Sequence, residues 1–342
     1  MDNQPVDLVF VIPFRNEERH IQATLDSLGM QDLDGFSAEV ILVNGMSTDH
    51  SRQLVENFIQ NTRIENLRFS LRDNPALNTP TAYNIGINQS TASIIGFGGA
   101  HTTYPSNYLR TAIKLLRNVD ADVVGGGHDK IISFDRDVLS QAISCLYMSP
   151  MGAGVAAYHR LKLPGYVDTV YGGLYKREVF DRVGLFSESL SRNQDNELNA
   201  RVVKAGFKIY FHPDLSTTYI QKTDLNSFLK RAYNFGFYHP ATWKANPHSF
   251  RLRHFIPSVW VLYLVGLLLP SLFFPEFLLW LLLPLFLYVV LLGLSSVNFM
   301  ISRSFYVGLA TFPLFAVYHL TYCVGTFVGF IDIFFIRHQD KI

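Results

Sequence analysis

The sequence predicts an α/β protein with a doubly wound sheet, followed by helices that cross a membrane. Two observations support this prediction. In the front part of the 342-residue chain, short apolar runs alternate with segments whose apolar residues recur at helical spacing. Further along, the stretch 255–301 contains a single formally charged residue, Glu276. A stretch of that composition suits lipid, whereas the front part has the composition of an ordinary water-exposed domain.

The first strand and helix set the pattern. Residues 8–12 form a continuous apolar run that ends at Pro13, as expected for a strand that is buried on both faces. Asn16 is a suitable N-cap for a helix that follows, with Ile21 and Leu25 on its inner face. The start of the chain therefore predicts a strand followed directly by a helix.

The same order repeats along the chain. Strands are predicted at 39–43, 67–71, 94–97 and 122–125, and helices from a cap near Ser47 and at 80–88 and 108–116. A repeated strand–helix order predicts parallel strands, with the ligand site at their carboxyl ends. After residue 130 the pattern becomes α+β. The amphipathic segment 224–237 predicts either a helix at a membrane interface or a helix of the protein core.

Charge and cysteine content exclude several classes of protein. The formal net charge of +1 gives no broad positive field, so we expect no nucleic-acid partner. The only cysteines are Cys145 and Cys323, which rules out a disulfide framework and a cysteine-based zinc site. The loops after the strands lack both the glycine pattern of dinucleotide-binding proteins and the lysine loop of nucleoside triphosphatases.

Three apolar segments, 255–275, 276–300 and 305–336, each exceed the roughly 20 residues that a helix needs to cross a bilayer. We predict a globular domain at 1–222, an interfacial linker at 223–254 and a membrane region at 255–342. The cations before the first segment predict a multi-pass protein of the cell membrane with its front domain on the cytoplasmic side. If all three segments cross the membrane, the cations after the third segment lie outside, against this bias. The sequence therefore leaves open whether the chain crosses two or three times. These cations are Lys244, Arg251 and Arg253 before the first segment, and Arg337 and Lys341 after the third.

Several motifs occur in a fixed order. The runs VIPFRNEE at 11–18, VNGMSTD at 43–49 and NQDNEL at 193–198 resemble those of family 2 glycosyltransferases. The tracts at 74–86 and 167–186, with the C-terminal membrane segments, resemble the succinoglycan-biosynthesis branch, which extends lipid-linked glycans. The resemblance covers about residues 6–260. It implies the GT-A fold, a doubly wound mixed sheet with a Rossmann-like nucleotide-binding half.

The resemblance also implies substrates and binding residues. The donor is a nucleotide sugar, with UDP favoured, and the acceptor is a polyprenyl-linked or otherwise membrane-held glycan. The implied donor-binding residues are Pro13, Phe14, Glu17, Asn44, Asn84 in a loop at 84–86, Gly99 and His101. The implied acceptor-binding residues are Asp168, Tyr171, Gly172, Gly173, Gln194 and Arg231. Asn44 stands where the family has an aspartate that binds uracil.

Catalysis by such an enzyme needs a carboxylate that removes the proton of the acceptor hydroxyl. The resemblance assigns this role to Asp195, with Glu197 beside it as a second catalytic candidate. Spacing alone also fits a structural alternative, in which both acids stabilise a helix start and Glu197 pairs with Arg201 four residues later.

One position departs from the family pattern. The branch has Asp-Ala-His after the fourth strand, and this chain has Gly99, Ala100 and His101. The missing aspartate helps to hold a divalent cation, Mn²⁺ or Mg²⁺, which prefers oxygen ligands. Three alternatives follow. His101 holds the cation with the donor phosphates and an acid such as Asp129; basic residues such as Arg192 or Lys130 replace the cation; or the protein is a non-catalytic binder or scaffold. We favour an active hexosyltransferase.

Overall fold

The structure is a computed structural model that describes residues 6–132, 135–152, 162–190, 194–221, 223–245 and 256–336. The chain forms two compact units, the first within Met1–Lys130 and Ala156–Ile220 and the second within Ile131–Val155 and Gln221–Ile342. Some residues that the sequence singles out lie outside the described ones. These are Arg192, Asn193, Arg251, Arg253, Arg337 and Lys341.

The first unit is built on a large sheet and a small one. In chain order the strands are β1 Leu8–Phe14, β2 Ala38–Asn44, β3 Leu67–Asp73, β4 Ile94–Phe97, β5 Thr102–Thr103, β6 Val123–Gly126, β7 His128–Ile132, β8 Gly165–Val167, β9 Tyr171–Lys176, β10 Ile209–Phe211 and β11 Thr217–Ile220. The large sheet has the order β3-β2-β1-β4-β9-β6-β10-β8, and the small sheet the order β5-β11-β7. All the strands predicted from the sequence are present.

The large sheet is mixed, as the family resemblance implies. Strands β1 to β4 are parallel in their pairings, but β9 runs antiparallel to both β4 and β6, and β8 runs antiparallel to β10. The strands predicted from the repeated strand–helix order, β1 to β4 and β6, all run in one direction, whereas β8 and β9 follow residue 130, where the sequence predicts an α+β pattern. That order constrains only strands that are neighbours in sequence. Strand β9 inserts between β4 and β6 from far along the chain, where no local pattern reports its direction.

Helices cover both faces of the large sheet. Those of the first unit are α1 Ile21–Gly29, α2 Ser51–Asn61, α3 Thr79–Asn88, α4 Tyr108–Asn118, α6 Arg177–Val183 and α7 Gln194–Lys204. Along β1, Leu8, Phe10 and Ile12 enter one apolar cluster, whereas Val9 and Val11 enter the other. A strand buried on both faces requires a continuous apolar run, which is the pattern that predicts it.

Two predicted helix caps are wrong. Helix α1 begins at Ile21 rather than after Asn16, and α2 begins at Ser51 rather than near Ser47. The Asn16 carboxamide instead accepts a hydrogen bond from the Thr48 N–H at 2.9 Å, and the Ser47 hydroxyl accepts one from the Asn16 N–H at 3.1 Å. Small polar side chains bind loop backbone as readily as a helix start, and here they join two loops.

The second unit is helical. It contains α5 Val138–Met148, α8 Leu225–Ala245, α9 Ile256–Ser271, α10 Glu276–Ser302, α11 Phe305–Ile331 and a π-helical turn Asp332–Ile336. Helix α5 belongs to this second unit, although its residues lie within the predicted domain at 1–222. Phe228 and Ala232 of α8 are fully buried in a cluster with Phe315 of α11. Of the two alternatives for α8, its packing therefore favours a core helix.

Two described helices are long and apolar enough to cross a membrane, α10 and the segment Phe305–Phe335. They are candidates by length and composition only. A core helix of a soluble protein can have the same length and the same apolar composition. Helix α9, with 16 residues, is shorter. Most described residues of α10 are exposed, with Trp280 71% and Leu279 73% accessible. Exposed apolar side chains on this scale are unusual for a surface in water.

Helices α8 and α11 approach each other through three glycines. A Cβ atom added at Gly236 would overlap the Tyr322 carbonyl, and one added at Gly325 or Gly329 would overlap a carbonyl of α8. Small residues that allow backbones to come this close are typical of helix pairs in membranes.

We expect Gly325→Ala to destabilise the second unit by about 1–3 kcal/mol, because the added methyl group meets rigid backbone. The matched control is Gly293→Ala in α10, where no atom lies within 4 Å of the added Cβ. Tryptophan fluorescence during thermal unfolding is the measurement, since all three tryptophans, Trp243, Trp260 and Trp280, lie in this unit. Equal midpoints for the two variants would contradict the close approach.

Candidate active site

The loops that follow β1 and β2 are joined by hydrogen bonds at the carboxyl ends of these strands. The Glu17 N–H donates to the Ser51 hydroxyl at 2.7 Å, and the Glu18 N–H donates to the Asp49 carboxylate at 3.2 Å. With the Asn16 bonds described above, these contacts fix both loops against the sheet. Strand ends that are rigid and polar are where open α/β sheets bind ligands.

Asn44, the predicted base-binding residue, ends β2 and is almost fully buried. Its amide donates to the Asp73 carboxylate at 3.1 Å and its carbonyl accepts from the Ser47 N–H at 2.9 Å. Asp73 ends β3, is exposed, and also binds Arg52 at 2.6 Å. The sequence reasoning missed Asp73, although its place at the carboxyl end of a predicted strand was a signal. A carboxylate therefore stands beside the asparagine that replaces the family's aspartate.

Three other predicted donor residues lie within or against the sheet. Pro13 pairs with Val43 inside β1, and the Phe14 side chain is buried in the core. The 84–86 segment belongs to α3 and is not the predicted loop, since Asn78 caps that helix. The Asn84 side chain donates to the Phe186 carbonyl at 3.0 Å and accepts from the Phe186 N–H at 3.0 Å. The contacts of Phe14 and Asn84 give no support to direct donor binding.

Glu17 lies between two histidines. Its carboxylate is 3.1 Å from Nδ1 of His20 and 3.6 Å from Nδ1 of His101. The other ring nitrogen of His101, Nε2, is 2.8 Å from the Tyr219 hydroxyl. His101 follows β4 and Glu17 follows β1, so neighbouring strand ends bring the two predicted donor residues together.

Gly99 lies in a tightly packed turn after β4. Its N–H donates to the Tyr104 hydroxyl at 2.9 Å, and the same hydroxyl donates to the Gly99 carbonyl at 3.2 Å. A Cβ at this position would lie 2.9 Å from the Tyr171 hydroxyl and 3.3 Å from that of Thr102. These two hydroxyls are 2.8 Å apart. Tyr171, predicted on the acceptor side, is therefore next to the position of the missing aspartate.

The residues here do not make a metal site of their own. Within the described ranges, no group of three or more His, Cys, Asp or Glu side chains could hold a metal ion. His101 already contacts Tyr219 and Glu17, and a side chain at position 99 would have to displace the Tyr171 hydroxyl. The predicted role of His101 as a metal ligand therefore finds no completed ligand set among these residues.

An aromatic cluster that the sequence reasoning missed surrounds Tyr171. The ring of His128 lies 3.9 Å from that of Tyr171 and 4.8 Å from that of Tyr219, measured between centroids. His128 Nδ1 is 2.9 Å from the Thr217 hydroxyl. A signal for His128 was available, because it comes directly after the glycines at 125–127, where the strand predicted at 122–125 ends.

Asp195 lies in the first turn of α7. The helix is held to β9 because the Tyr175 hydroxyl donates to Asn199, whose amide in turn donates to the Thr169 hydroxyl, at 2.8 and 2.9 Å. Both bonds are buried. A rigid strand therefore sets the position of the predicted base.

The environment of Asp195 is unusual for an aspartate. The residue is exposed to solvent, but the protein atoms packed around its carboxyl raise the pKa of that group from the ordinary value of 3.8. Backbone N–H groups of the helix start oppose the shift without cancelling it. Burial mainly raises the pKa of Tyr83 and Tyr175, and the Asp195 charge adds to the effect, which places the carboxylate near both phenols. A carboxyl with a raised pKa, near the sheet and open to solvent on one side, is suited to exchange a proton.

Glu197, the second catalytic candidate, is buried and faces Arg201. Both carboxylate oxygens accept from that guanidinium at 2.8 Å. Arg201 also donates to the carbonyls of Val183 and Leu185 at 2.5 and 2.9 Å. These contacts fit the structural alternative for Glu197, in which the i, i+4 pair ties α7 to the end of α6. Gln194, one turn earlier, is half-buried.

The remaining acceptor candidates divide between the two units. Asp168, Gly172 and Gly173 lie in or just before β9, and Gly172 has a φ of 60°, a conformation that favours glycine. Arg231 belongs to the second unit. There its guanidinium donates to Gln221 at 3.0 Å and lies 5.5 Å above the Tyr147 ring.

A mixed α/β sheet with polar groups at its carboxyl edge and an acid at the start of α7 is the arrangement of GT-A glycosyltransferases. The mannosyltransferase PcManGT of Pyrobaculum calidifontis, solved with GDP-Man and Mn²⁺, has the same fold, with a TM-score of 0.60 over 95% of this chain and 88% of that one, at 16% identity. The sequence profile of Glycosyl transferase family 2 matches residues 9–184, which is more than half of the chain. The chain therefore belongs to that family.

Two curated relatives are similar over about two thirds of the chain. One is the dolichyl N-acetyl-alpha-D-glucosaminyl phosphate 3-beta-D-2,3-diacetamido-2,3-dideoxy-beta-D-glucuronosyltransferase of Methanococcus voltae, 24% identical over 66% of this chain and 70% of the relative. The other is the succinoglycan biosynthesis protein ExoA of Rhizobium meliloti, 26% identical over 67% of each. The resemblance to the family and to the succinoglycan branch is confirmed.

We expect Glu197→Ala to destabilise the first unit by about 2 kcal/mol, because it leaves the Arg201 guanidinium without its buried carboxylate. The thermal midpoint by circular dichroism is the measurement. Glu178→Ala, which removes an exposed acid from α6, is the control and should shift the midpoint little. A purely catalytic role for Glu197 would instead leave the midpoint unchanged and lower the rate of transfer.

Proposed function

We propose that the protein is a membrane-anchored inverting glycosyltransferase. It moves a hexose from a nucleoside diphosphate sugar, with UDP favoured, to a lipid-linked or membrane-held glycan in polysaccharide biosynthesis. The observation that carries the proposal is Asp195, a carboxyl with a raised pKa at the start of a helix that β9 holds in place. Membership of family 2 supports the class of reaction.

The proposed reaction is a single displacement at the anomeric carbon. The acceptor hydroxyl loses its proton to the Asp195 carboxylate as its oxygen bonds to that carbon. The bond between the carbon and the donor's terminal phosphate oxygen breaks, and the nucleoside diphosphate leaves with the bonding electrons. Attack on the face opposite the leaving group inverts the configuration. A general base in this position contributes about 10²–10⁴ to the rate.

The base-binding side of the proposal rests on Asn44 and Asp73. An amide offers a hydrogen-bond acceptor and two donors, and the adjacent carboxylate adds an acceptor. Because Asn44 is almost fully buried, the exposed Asp73 carboxylate is the group of this pair that a nucleobase reaches, and Asn44 positions it. Pro13, Glu17 and His101 complete the proposed donor side. Asp168, Gly172, Gly173 and Gln194 remain the proposed acceptor side of the first unit, and Arg231 remains a separate acceptor-binding proposal in the second unit.

The membrane part of the proposal rests on α10 and α11. The exposed apolar surface of α10 and the glycine contacts of α11 both suit a lipid environment. The name of the Methanococcus voltae relative describes a dolichyl-linked acceptor, and such an acceptor requires an enzyme at a bilayer. We place the first unit on the cytoplasmic side because Lys244, Arg251 and Arg253 precede the apolar segments.

A second candidate function is a non-catalytic binder of nucleotide sugars that acts as a scaffold in glycan assembly. The observation in its favour is Gly99, which stands where the branch has a metal-binding aspartate. This alternative predicts donor binding without transfer or hydrolysis. A panel of UDP- and GDP-sugars, assayed for both binding and nucleotide release, distinguishes the two functions and identifies the base.

We expect Asp195→Asn to lower the rate of transfer at least 100-fold while leaving donor affinity unchanged, because the amide cannot accept the proton. Nucleotide release and calorimetric donor binding are the two measurements. The matched control is Asp181→Asn, at an exposed position of α6, which should retain the activity of the unaltered protein. An unchanged rate in Asp195→Asn removes this residue from the mechanism.

The direction of the Asp195 pKa shift makes two further outcomes testable. A base must be ionised, so the rate should fall with decreasing pH around a midpoint above 3.8. A folded-state pKa above the unfolded value stabilises the fold at low pH, and this contribution is lost as the pH rises through the folded-state pKa. At neutral pH, Asp195→Asn should therefore unfold at the same or a higher temperature. A lower midpoint would mean that its loss of activity reflects unfolding.

A further inference from the structure

The Tyr171 hydroxyl occupies space that a side chain at position 99 would need. A Cβ added to Gly99 would lie only 2.9 Å from that oxygen, closer than carbon atoms of this kind come to their neighbours. Gly99 is not among the glycines with positive φ, so its backbone conformation does not require glycine. The missing side chain therefore provides room for the Tyr171 hydroxyl, and a side chain at 99 would have to displace that hydroxyl.

Contacts on several sides hold Tyr171 in this position. Its hydroxyl is 2.8 Å from that of Thr102, which is fully buried, and the His128 ring packs against its own. The next residue, Gly172, bends the start of β9 and accepts a hydrogen bond at its carbonyl from Tyr108 at 3.0 Å. A side chain fixed in this way loses little entropy when it binds a ligand.

The surroundings of Tyr171 favour neutral hydrogen-bond donors. Burial raises the pKa of the phenols of Tyr83, Tyr104 and Tyr108, and the Tyr171 hydroxyl raises each of them further. These phenols are therefore protonated at neutral pH. A protonated hydroxyl donates to a phosphate oxygen, whereas a carboxylate repels phosphate unless a cation lies between them.

Tyr83 links this position to the proposed base. Its hydroxyl contacts the Gly98 carbonyl at 3.5 Å, directly beside Gly99. Tyr171 and Asp195 both raise the pKa of Tyr83, as expected if both lie near it. The base must lie close to the anomeric carbon, and that carbon is bonded to the terminal phosphate of the donor. The terminal phosphate is therefore the part of the donor expected nearest to Tyr171.

Resting on the proposed function, we infer that the Tyr171 hydroxyl donates a hydrogen bond to the terminal phosphate of the donor, from the place where an aspartate at 99 would hold a divalent cation. This role moves Tyr171 from the acceptor side, where family resemblance puts it, to the donor side. Donor binding by this chain then does not require a divalent cation.

The test uses the full chain in lipid nanodiscs and measures UDP and UMP binding by calorimetry, with EDTA or with MnCl₂. We expect UDP affinity to agree within about twofold in the two conditions. Tyr171→Phe should weaken UDP about tenfold, which corresponds to ~1.4 kcal/mol, and leave UMP unchanged, because UMP lacks the terminal phosphate. Tyr166→Phe is the matched control, since this tyrosine is 58% exposed and bonds Asp120 elsewhere on the unit.

The double variant Gly99→Asp/Tyr171→Phe makes room for a carboxylate without the competing hydroxyl. It should bind UDP more tightly with MnCl₂ than with EDTA, and its Mn²⁺ electron paramagnetic resonance spectrum should change when UDP is added. Circular dichroism checks that every variant is folded.

Three outcomes overturn the inference. The first is loss of UDP binding by the unaltered protein in EDTA with recovery in MnCl₂, which leaves the proposed function standing. The second is equal weakening of UDP and UMP in Tyr171→Phe, which means that the substitution distorts the pocket as a whole. The third is an unchanged UDP affinity in Tyr171→Phe. No binding of UDP, GDP or their sugars in either condition overturns the proposed function and the inference with it.

Discussion

Pairing of β9 on both of its edges is the constraint on which the rest of the first unit depends. The strand lies in the middle of the large sheet, so its backbone groups must find partners in β4 and β6, since unpaired groups there are costly. Its antiparallel direction puts Tyr171 at the carboxyl end of β6, opposite Gly126. At its other end Tyr175 anchors α7. One strand therefore positions both the residue beside Gly99 and the helix that carries Asp195.

The site also shows a conflict between stability and chemistry. Protein atoms around the Asp195 carboxyl disfavour its charged form and raise its pKa, although one side of the residue is open to solvent. Two other polar side chains of the site have hydrogen-bonded side-chain or backbone partners. Glu197 has Arg201, and Asn44 has Asp73 and Ser47. Asp195 differs from these two in that the protein around it raises the pKa of its carboxyl, as is common for groups at active sites.

The second unit obeys different packing rules. Its helices α8 and α11 meet through glycines, and their polar side chains find partners within the unit. His319, the histidine of an apolar segment, lies 2.7 Å from the Tyr288 hydroxyl and 2.8 Å from the Met151 carbonyl. The hydroxyl of Tyr322 likewise contacts His239 of α8. Polar groups that are bonded in this way are tolerated among apolar helices, so they need not mark a path for ions.

The sequence alone determined the features that depend on local order. Apolar runs located β1 to β4 and β6, apolar length located α10 and α11, and ordered motifs identified the family and the place of Asp195. Tertiary structure decided what depends on distant residues: the direction of β9, the burial of Phe14 and Asn84, the bonds of Asn16 and Asp73, and the cluster of His128, Tyr171 and Tyr219. The spacing of apolar residues indicates which faces of a segment are buried, because each buried position requires an apolar side chain. It does not report which segment lies opposite, so the space that Tyr171 takes beside Gly99 emerged only when β9 was seen between β4 and β6.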